Sequence, residues 1–362
     1  MNCAARTESG LPVLSGLTVD EIAGIILPVP RYRAAQIFAR LAAGATSFDE
    51  MTNLPLTMRA DFTGRFLARP PVSVTEHRGG DGTVKLAVKF DDGAVIEAVL
   101  LTDGSAGRRY TACLSTQAGC PAGCVFCRTG GTGFLRNLSA AEIVEQILLL
   151  EAAAAGNDTP GRERRISNIV VMGMGEPLLN LAALRKALEI ICDNRGLNFS
   201  KRRITVSTCG ITGGITDLAD NGPAVRLALS LTTADEDLRR RLMPVTAAHP
   251  LGKVKDALRY FQAKGGARIT LEAVLLGGIN TGETDARKMA EFAAGLDAAV
   301  NLIPWNPAKG LEFEGRPLRE PSLPEVEAFE RSLRSLGLNV TRRFRRGRGV
   351  MGACGQLAGE DR

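Results

Sequence analysis

Residues 111–127 read TACLSTQAGCPAGCVFC, a short apolar run that ends in a loop carrying Cys120, Cys124 and Cys127 at CxxxCxxC spacing. The run TACLS (111–115) is the first of six of its kind. The others are ISNIVVM (166–172), RITVST (203–208), VRLALSL (225–231), ITLEAVLL (269–276) and AVNLIPW (299–305). Stretches of helical period separate them, among them SAAEIVEQILLLEAAAA, LAALRKALEII, LGKVKDALRYFQAKG and TDARKMAEFAAGL. Near-continuous apolar strands alternating with helices predict a parallel sheet covered by helices. Six such units predict an α/β fold of the partial (β/α)6 barrel type, with its chemistry at the C-terminal ends of the strands. The cysteine loop lies at the first of those ends.

Upstream of the barrel the pattern changes. LTVDEIAGIIL, RYRAAQIFARLAAG and LPLTMRADFTGRFLA have helical apolar spacing interrupted at Pro28, Pro30 and Pro55. TVKLAVKF and AVIEAVLL flank the turn DDG and predict a β-hairpin. In its second run Glu97 shares a face with Val95, Val99 and Leu101. The expected organisation is a helical module over 1–72, a hairpin linker carrying Glu97 over 73–106, the barrel over 107–345 and a C-terminal segment over 346–362.

A chain of 362 residues, 45% hydrophobic and 23% charged, has the composition of a globular protein with a sizeable core. It shows no secretory leader and no run near the roughly 18 apolar residues of a membrane helix, so a cytoplasmic protein without membrane contact is expected. Eight scattered cysteines do not form a secreted disulfide framework. The net charge of +6 is partly local, because RRFRRGRG (342–349) is either a solvated basic run or a phosphate-contacting patch. Cys3, Cys192 and Cys209 read as packed thiols.

Three thiols this close in sequence either converge on one centre or stay as buried thiols. Iron–sulfur clusters take cysteine thiolates, and a cubane with three protein ligands leaves one iron open. Zinc normally takes four ligands, and a structural zinc site completed by Cys113 in a non-catalytic RNA-binding protein is the reading from another class.

CxxxCxxC after the first strand of such a barrel resembles the radical S-adenosylmethionine (SAM) enzymes. CLSTQAGC (113–120), GFLRNLSAAEIVEQ (133–146), VVMGMGEPLLN (170–180), SKRRITVST (200–208), NLIPWNP (301–307) and ACGQLAG (353–359) resemble the RlmN/Cfr family of RNA adenine methyltransferases, and FDEMTNLP (48–55) extends the likeness into the helical module. The resemblance implies that Cys120, Cys124 and Cys127 ligate a [4Fe-4S] cluster whose open iron binds SAM. Gly175 and Glu176 match the family's SAM-binding pair, and Ser207, Ser230, Leu231, Thr232 and Asn306 its other SAM positions. Cys354 matches a cysteine that is methylated by one SAM and then loses a hydrogen atom to a radical derived from a second. Its methylene adds to adenine, an atom route that ordinary methylation of an sp2 C–H does not offer. Glu97 matches the proton acceptor, and Cys113 the thiol that releases the product by closing a transient disulfide with Cys354.

By resemblance the substrates are an adenosine in the peptidyl transferase centre of 23S rRNA and the adenosine 3′ of the tRNA anticodon, methylated at carbon-2. Cfr-type methylation at carbon-8 is the alternative within the family. A monomer served by an electron donor such as flavodoxin or ferredoxin is expected. The chain departs from the family where SLTTA replaces SLHAP, so that Thr232 stands for a histidine, where RGRGV replaces RGxDI, and in RTGGTGF after the cluster motif.

Overall fold

The structure, a computed structural model, describes residues 10–102, 110–155, 166–343 and 347–358. Cys3, together with Arg345 and Arg346 of the basic run, lies outside them.

The three N-terminal helices form as their sequences dictate. In α1 (Val19–Ile25) the side chains of Thr18 and Glu21 make a reciprocal capping box. α2 (Arg31–Ala42) and α3 (Leu56–Arg65) start directly after Pro30 and Pro55, where a helix has no use for a donor on the preceding residue. α2 buries Ala34, Ile37, Phe38 and Leu41, one stripe at helical spacing. Phe62 meets Phe48 and Phe66 edge-to-face, with centroids 5.8 and 5.7 Å apart.

The linker segment holds more than the expected hairpin. β1 (Val72–Arg78), β2 (Val84–Phe90) and β3 (Val95–Thr102) form a three-stranded antiparallel meander. β3 then pairs antiparallel with β4 (Tyr110–Cys113), so the meander continues the barrel sheet instead of standing apart from it.

Beyond β4 the chain forms β5 (Gln117–Gly119), the short turn α4 (Arg128–Gly131), β6 (Phe134–Asn137) and α5 (Ala140–Ala155). Then come β7 (Ile166–Val171), α6 (Leu181–Cys192), β8 (Ile204–Thr208), α7 (Thr212–Asn221), β9 (Arg226–Ser230), α8 (Glu236–Leu242) and α9 (Leu251–Ala263). β10 (Ile269–Leu275), α10 (Glu283–Ala293), β11 (Ala298–Pro304), the small pair β12 (Glu312–Phe313) and β13 (Arg316–Pro317), α11 (Leu323–Ser335) and β14 (Val340–Arg342) complete it. The sheet order is β1-β2-β3-β4-β7-β8-β9-β10-β11-β14, with parallel pairing from β4 onward. The mixed α/β fold is therefore the expected partial barrel, with β14 as an additional parallel strand. Among the described residues no helix is long and apolar enough to cross a membrane.

The helical module is fastened to the barrel by charge as well as apolar packing. Arg69 donates to both carboxylate oxygens of Glu145 on α5, at 2.8 and 2.5 Å. Both side chains are nearly withdrawn from water, at 10% and 2% exposure. Burial pushes the Glu145 carboxyl up, and the guanidinium pulls it back towards the charged form. Removing one partner strands the other, so Arg69→Ala is expected to destabilise the protein by about 3–5 kcal/mol in a denaturant titration. A loss below about 1 kcal/mol, the range of exposed pairs, would show that the contact is not structural.

Candidate active site

The cysteine loop is shaped by its neighbours before any ligand is considered. Past β4, the Gln146 side chain exchanges two hydrogen bonds with the backbone of Ser115, at 2.8 and 3.0 Å. Asn180 Nδ2 donates to the carbonyls of Thr116 and Leu138, each at 2.8 Å. The chain then turns at Gly119, φ +74°, where an added Cβ would stand 2.0 Å from the Gly133 carbonyl. Only glycine fits there, and the Cys120 amide donates to that same carbonyl. The far side of the loop is held by Val125 N donating to Leu242 O at 3.0 Å and by the Trp305 indole donating to Phe126 O at 2.8 Å.

Cys120, Cys124 and Cys127 stand on the wall of an inner cavity of about 170 Å³. Across from them lie Gly175, Glu176, Ser207, Ser230, Thr232 and Asn306, all at the C-terminal ends of strands or just beyond. Leu231 does not line it: its side chain is fully buried in the core and its carbonyl accepts from Arg239 Nε. An outer cavity of about 430 Å³ shares Cys127, Asn306, Arg343 and Cys354 with the inner one. Cys113 is on the outer wall. Cys354 therefore borders both spaces, and Cys113 faces it from the outer one.

The inner cavity is built for a polar ligand. Gly175 has φ +100°, and a Cβ there would sit 2.7 Å from Gln117 Cβ, so the strand-end turn closes only on glycine. Glu176 is buried, and its two carboxylate oxygens accept from Leu178 N at 3.1 Å and Cys209 N at 2.7 Å. Burial raises its pKa, and those amides pull it down. Ser207 and Ser230 share a hydrogen bond of 3.0 Å between their hydroxyls. Thr232 has φ +60°, a costly conformation for a β-branched residue, and its buried hydroxyl has no partner. Asn306 donates to the Cys354 carbonyl at 3.2 Å, while its Oδ1 is buried and unpaired. Unsatisfied oxygens facing one cavity mark a place where a ligand supplies the missing partner.

As thiolates these cysteines are electrostatically costly without a counter-charge. Burial pushes both Cys113 and Cys120 up to about 12, raises Cys127 and lifts Cys124 well above the usual thiol range. No disulfide joins any described cysteine. Among the described residues no group of three His, Cys, Asp or Glu side chains is gathered to hold a single metal ion. A cubane instead takes its thiolates at separate corners, and three sulfurs around one cavity fit a [4Fe-4S] cluster with an open iron.

The C-terminal segment is seated on this loop. Arg128 N donates to Gly355 O at 2.9 Å, Thr129 Oγ1 to Leu357 O at 2.6 Å, and Gln356 Nε2 to Pro307 O at 3.0 Å. Glu97, almost fully buried, accepts from Lys85 Nζ at 2.7 Å and from Ala358 N at 2.8 Å. Its side chain lines neither cavity; it ties the tail down from β3.

Residues 114–293 match the radical SAM superfamily. A relative from Treponema denticola, given as a probable dual-specificity RNA methyltransferase RlmN, is 50% identical over 344 residues, covering 95% of this chain and 94% of its own. The dual-specificity RNA methyltransferase RlmN of Lawsonia intracellularis is 42% identical over 350 residues, covering 95% and 96%. The chain belongs to the RlmN family of radical SAM RNA methyltransferases. A crystal structure of a radical SAM methyltransferase from Sphaerobacter thermophilus superposes with TM-score 0.88 at 38% identity, covering 96% of this chain and 99% of that one. Membership in this family brings a [4Fe-4S] cluster and SAM as cofactors.

Sequence patterning missed several residues of the RlmN-type site. Cys209 lines the inner cavity although it reads as a packed thiol, and Glu272 and Arg343 line it too. A carboxylate in the middle of the apolar run ITLEAVLL is the signal that would have flagged Glu272; Arg343 is masked by the basic run around it. For the turn at Gly175, strain of about 1–3 kcal/mol from a side chain at positive φ predicts that Gly175→Ala weakens SAM binding roughly tenfold or more. Equilibrium dialysis of the reconstituted variant would read this, and unchanged affinity would show that the turn tolerates a Cβ.

Proposed function

We propose that this protein methylates carbon-2 of adenosine in RNA, with 23S rRNA at the peptidyl transferase centre and the adenosine 3′ of the tRNA anticodon as substrates. The observation that carries the reading is the placement of Cys354. It borders both the cavity of the three clustered cysteines and the outer cavity whose wall holds Cys113. A thiol in that position can receive a group on one side and deliver it on the other. Neither histidine is at either cavity wall, so thiol chemistry is what this site offers.

In this reading the cluster and SAM, when bound through Cys120, Cys124 and Cys127, supply one-electron cleavage of the sulfonium. Gly175, Glu176, Ser207, Ser230, Thr232 and Asn306 hold SAM, the last two through oxygens that lack a partner. Leu231, just past β9, supports the site from the core side, its amide donating to Glu272 O and its carbonyl accepting from Arg239 Nε. Cys354 carries the one-carbon unit as a thioether. The Cys113 thiolate attacks that sulfur, closing a disulfide with Cys354 as the C–S bond breaks and the released methylene carbon takes up a proton; its buried thiol must first lose its own proton. Burial and the neighbouring Cys354 push the Cys113 pKa up to about 12, and the Arg343 guanidinium beside both thiols offsets part of that. Glu97 is the group that takes the ring proton. Its two oxygens are held by Lys85 Nζ and Ala358 N, which ties the carboxylate to the segment that carries Cys354.

The partners in this account are RNA and a one-electron donor protein such as flavodoxin or ferredoxin, and the working unit is a monomer. Mass spectrometry of 23S rRNA and tRNA from a deletion strain tests the substrate assignment. Loss of 2-methyladenosine from both is expected; unchanged 2-methyladenosine with loss of 8-methyladenosine would replace it with the Cfr-type reaction. Stoichiometric zinc in place of iron after anaerobic purification would sink the radical chemistry altogether. Cys113→Ala is expected to accumulate a covalent protein–RNA adduct, visible as a slow-migrating band, because transfer proceeds without release. Normal turnover by that variant would remove Cys113 from the scheme.

A further inference from the structure

Arg239, on α8, is wholly excluded from solvent and heads the fully buried side chains by size. It has no carboxylate partner: among the described residues no ion pair involves it. Its Nε donates to Leu231 O at 3.1 Å, and its Nη2 to Cys209 O at 2.7 Å and Ser230 O at 3.3 Å. Nη1 is buried with no partner at all. The anionic or titratable groups that feel its charge are the Cys209 and Cys124 thiols and Glu236, with His249 also in its field. The Glu236 carboxylate is committed to Leu251 N at 2.8 Å.

A buried cation without a counter-charge is heavily penalised, and carbonyl dipoles offset only part of that. A protein keeps such a group where a negative charge arrives later. The three carbonyls it holds are those of Cys209 just past β8, Ser230 at the end of β9 and Leu231 just past it, the strand ends that carry Ser207, Ser230 and Thr232 to the inner cavity. Cys124, one of the three clustered thiols, lines the same cavity and is among the groups that feel the Arg239 charge. A thiolate-ligated cluster is anionic there, and its reduced state carries one electron more.

We propose that Arg239 is a positioning residue for electron entry. Its fixed, buried charge favours the reduced cluster, and its fork holds the ends of β8 and β9 in register beneath the SAM site. This rests on the assignment of Cys120, Cys124 and Cys127 as cluster ligands. The redox event itself is the addition of one electron to the cluster from an external one-electron reductant, with no bond made or broken in the chain.

The test is an EPR-monitored redox titration of the anaerobically reconstituted full-length protein, with dithionite as the reductant, in wild type, Arg239→Met and Arg239→Lys. Methionine fills much of the space without charge. Its midpoint is expected to fall enough to cut the reduced-to-oxidised ratio tenfold at a fixed poise, which is about 59 mV for a one-electron couple. Lysine keeps the charge without the fork, so its midpoint should stay near wild type while SAM affinity weakens. An Arg239→Met protein with full iron content and an unshifted midpoint would overturn the proposal. Should the methionine variant fail to fold, Arg239→Gln, which removes the charge but keeps hydrogen-bond donors, decides: a midpoint lowered by the same tenfold ratio upholds the electrostatic role, and an unshifted midpoint rejects it. Absence of any cluster signal in the wild-type protein would overturn the ligand assignment instead.

Discussion

The hydrogen bonds between the cysteine loop and the C-terminal segment are the constraint on which the site depends. Arg128 N to Gly355 O and Thr129 Oγ1 to Leu357 O lock two stretches more than 200 residues apart, the second pair separated by 228 positions. Asn306 holds the Cys354 carbonyl, and Glu97 takes the Ala358 amide. The tail has little regular structure of its own, so these contacts, with that of Gln356 to Pro307 O, set where the Cys354 thiol points. They come from three places: Glu97 on β3, Arg128 and Thr129 on α4, and Asn306 just past β11. The barrel therefore serves as a jig that brings one thiol to the seam between two cavities.

Electrostatics gives that seam its character. The inner space gathers buried thiols, the buried carboxyls of Glu176 and Glu272, and the cations Arg343 and, behind the wall, Arg239. Burial drives the thiols and carboxyls towards their neutral forms. A cofactor pair that brings iron and a sulfonium into this space reverses the balance by supplying positive charge to thiolates and carboxylates. The site is thus incomplete in physical terms without its ligands, which is also what the orphaned oxygens of Thr232 and Asn306 indicate.

Much of the fold was legible in the sequence, and the reason is burial. The barrel strands are covered on both faces, so they appear as continuous apolar runs, and each lies within a residue or two of its expected span. β1 escaped because VSVTEHR is almost wholly exposed and carries no apolar face to read. β14 is only three residues long. At the site, the loop cysteines and GMGEP could be placed from spacing and strand position. Long-range contacts could not: that Glu97 holds Ala358, that Leu231 turns into the core, and that Arg239 in the run RRRL is the buried one all depend on packing across the sheet. A basic triplet on a helix reads as a solvated face, and only the structure shows which arginine points inward.

The central claim is that Cys354 accepts a methyl group within a cavity shared with the clustered cysteines. Peptide mass spectrometry after anaerobic incubation of the reconstituted protein with methyl-labelled SAM tests it most directly. The account predicts the label on the Cys354 peptide, retained in Cys113→Ala and lost when any one of Cys120, Cys124 or Cys127 is replaced by alanine. A label on another residue, or full labelling of Cys354 without the three loop cysteines, would contradict it.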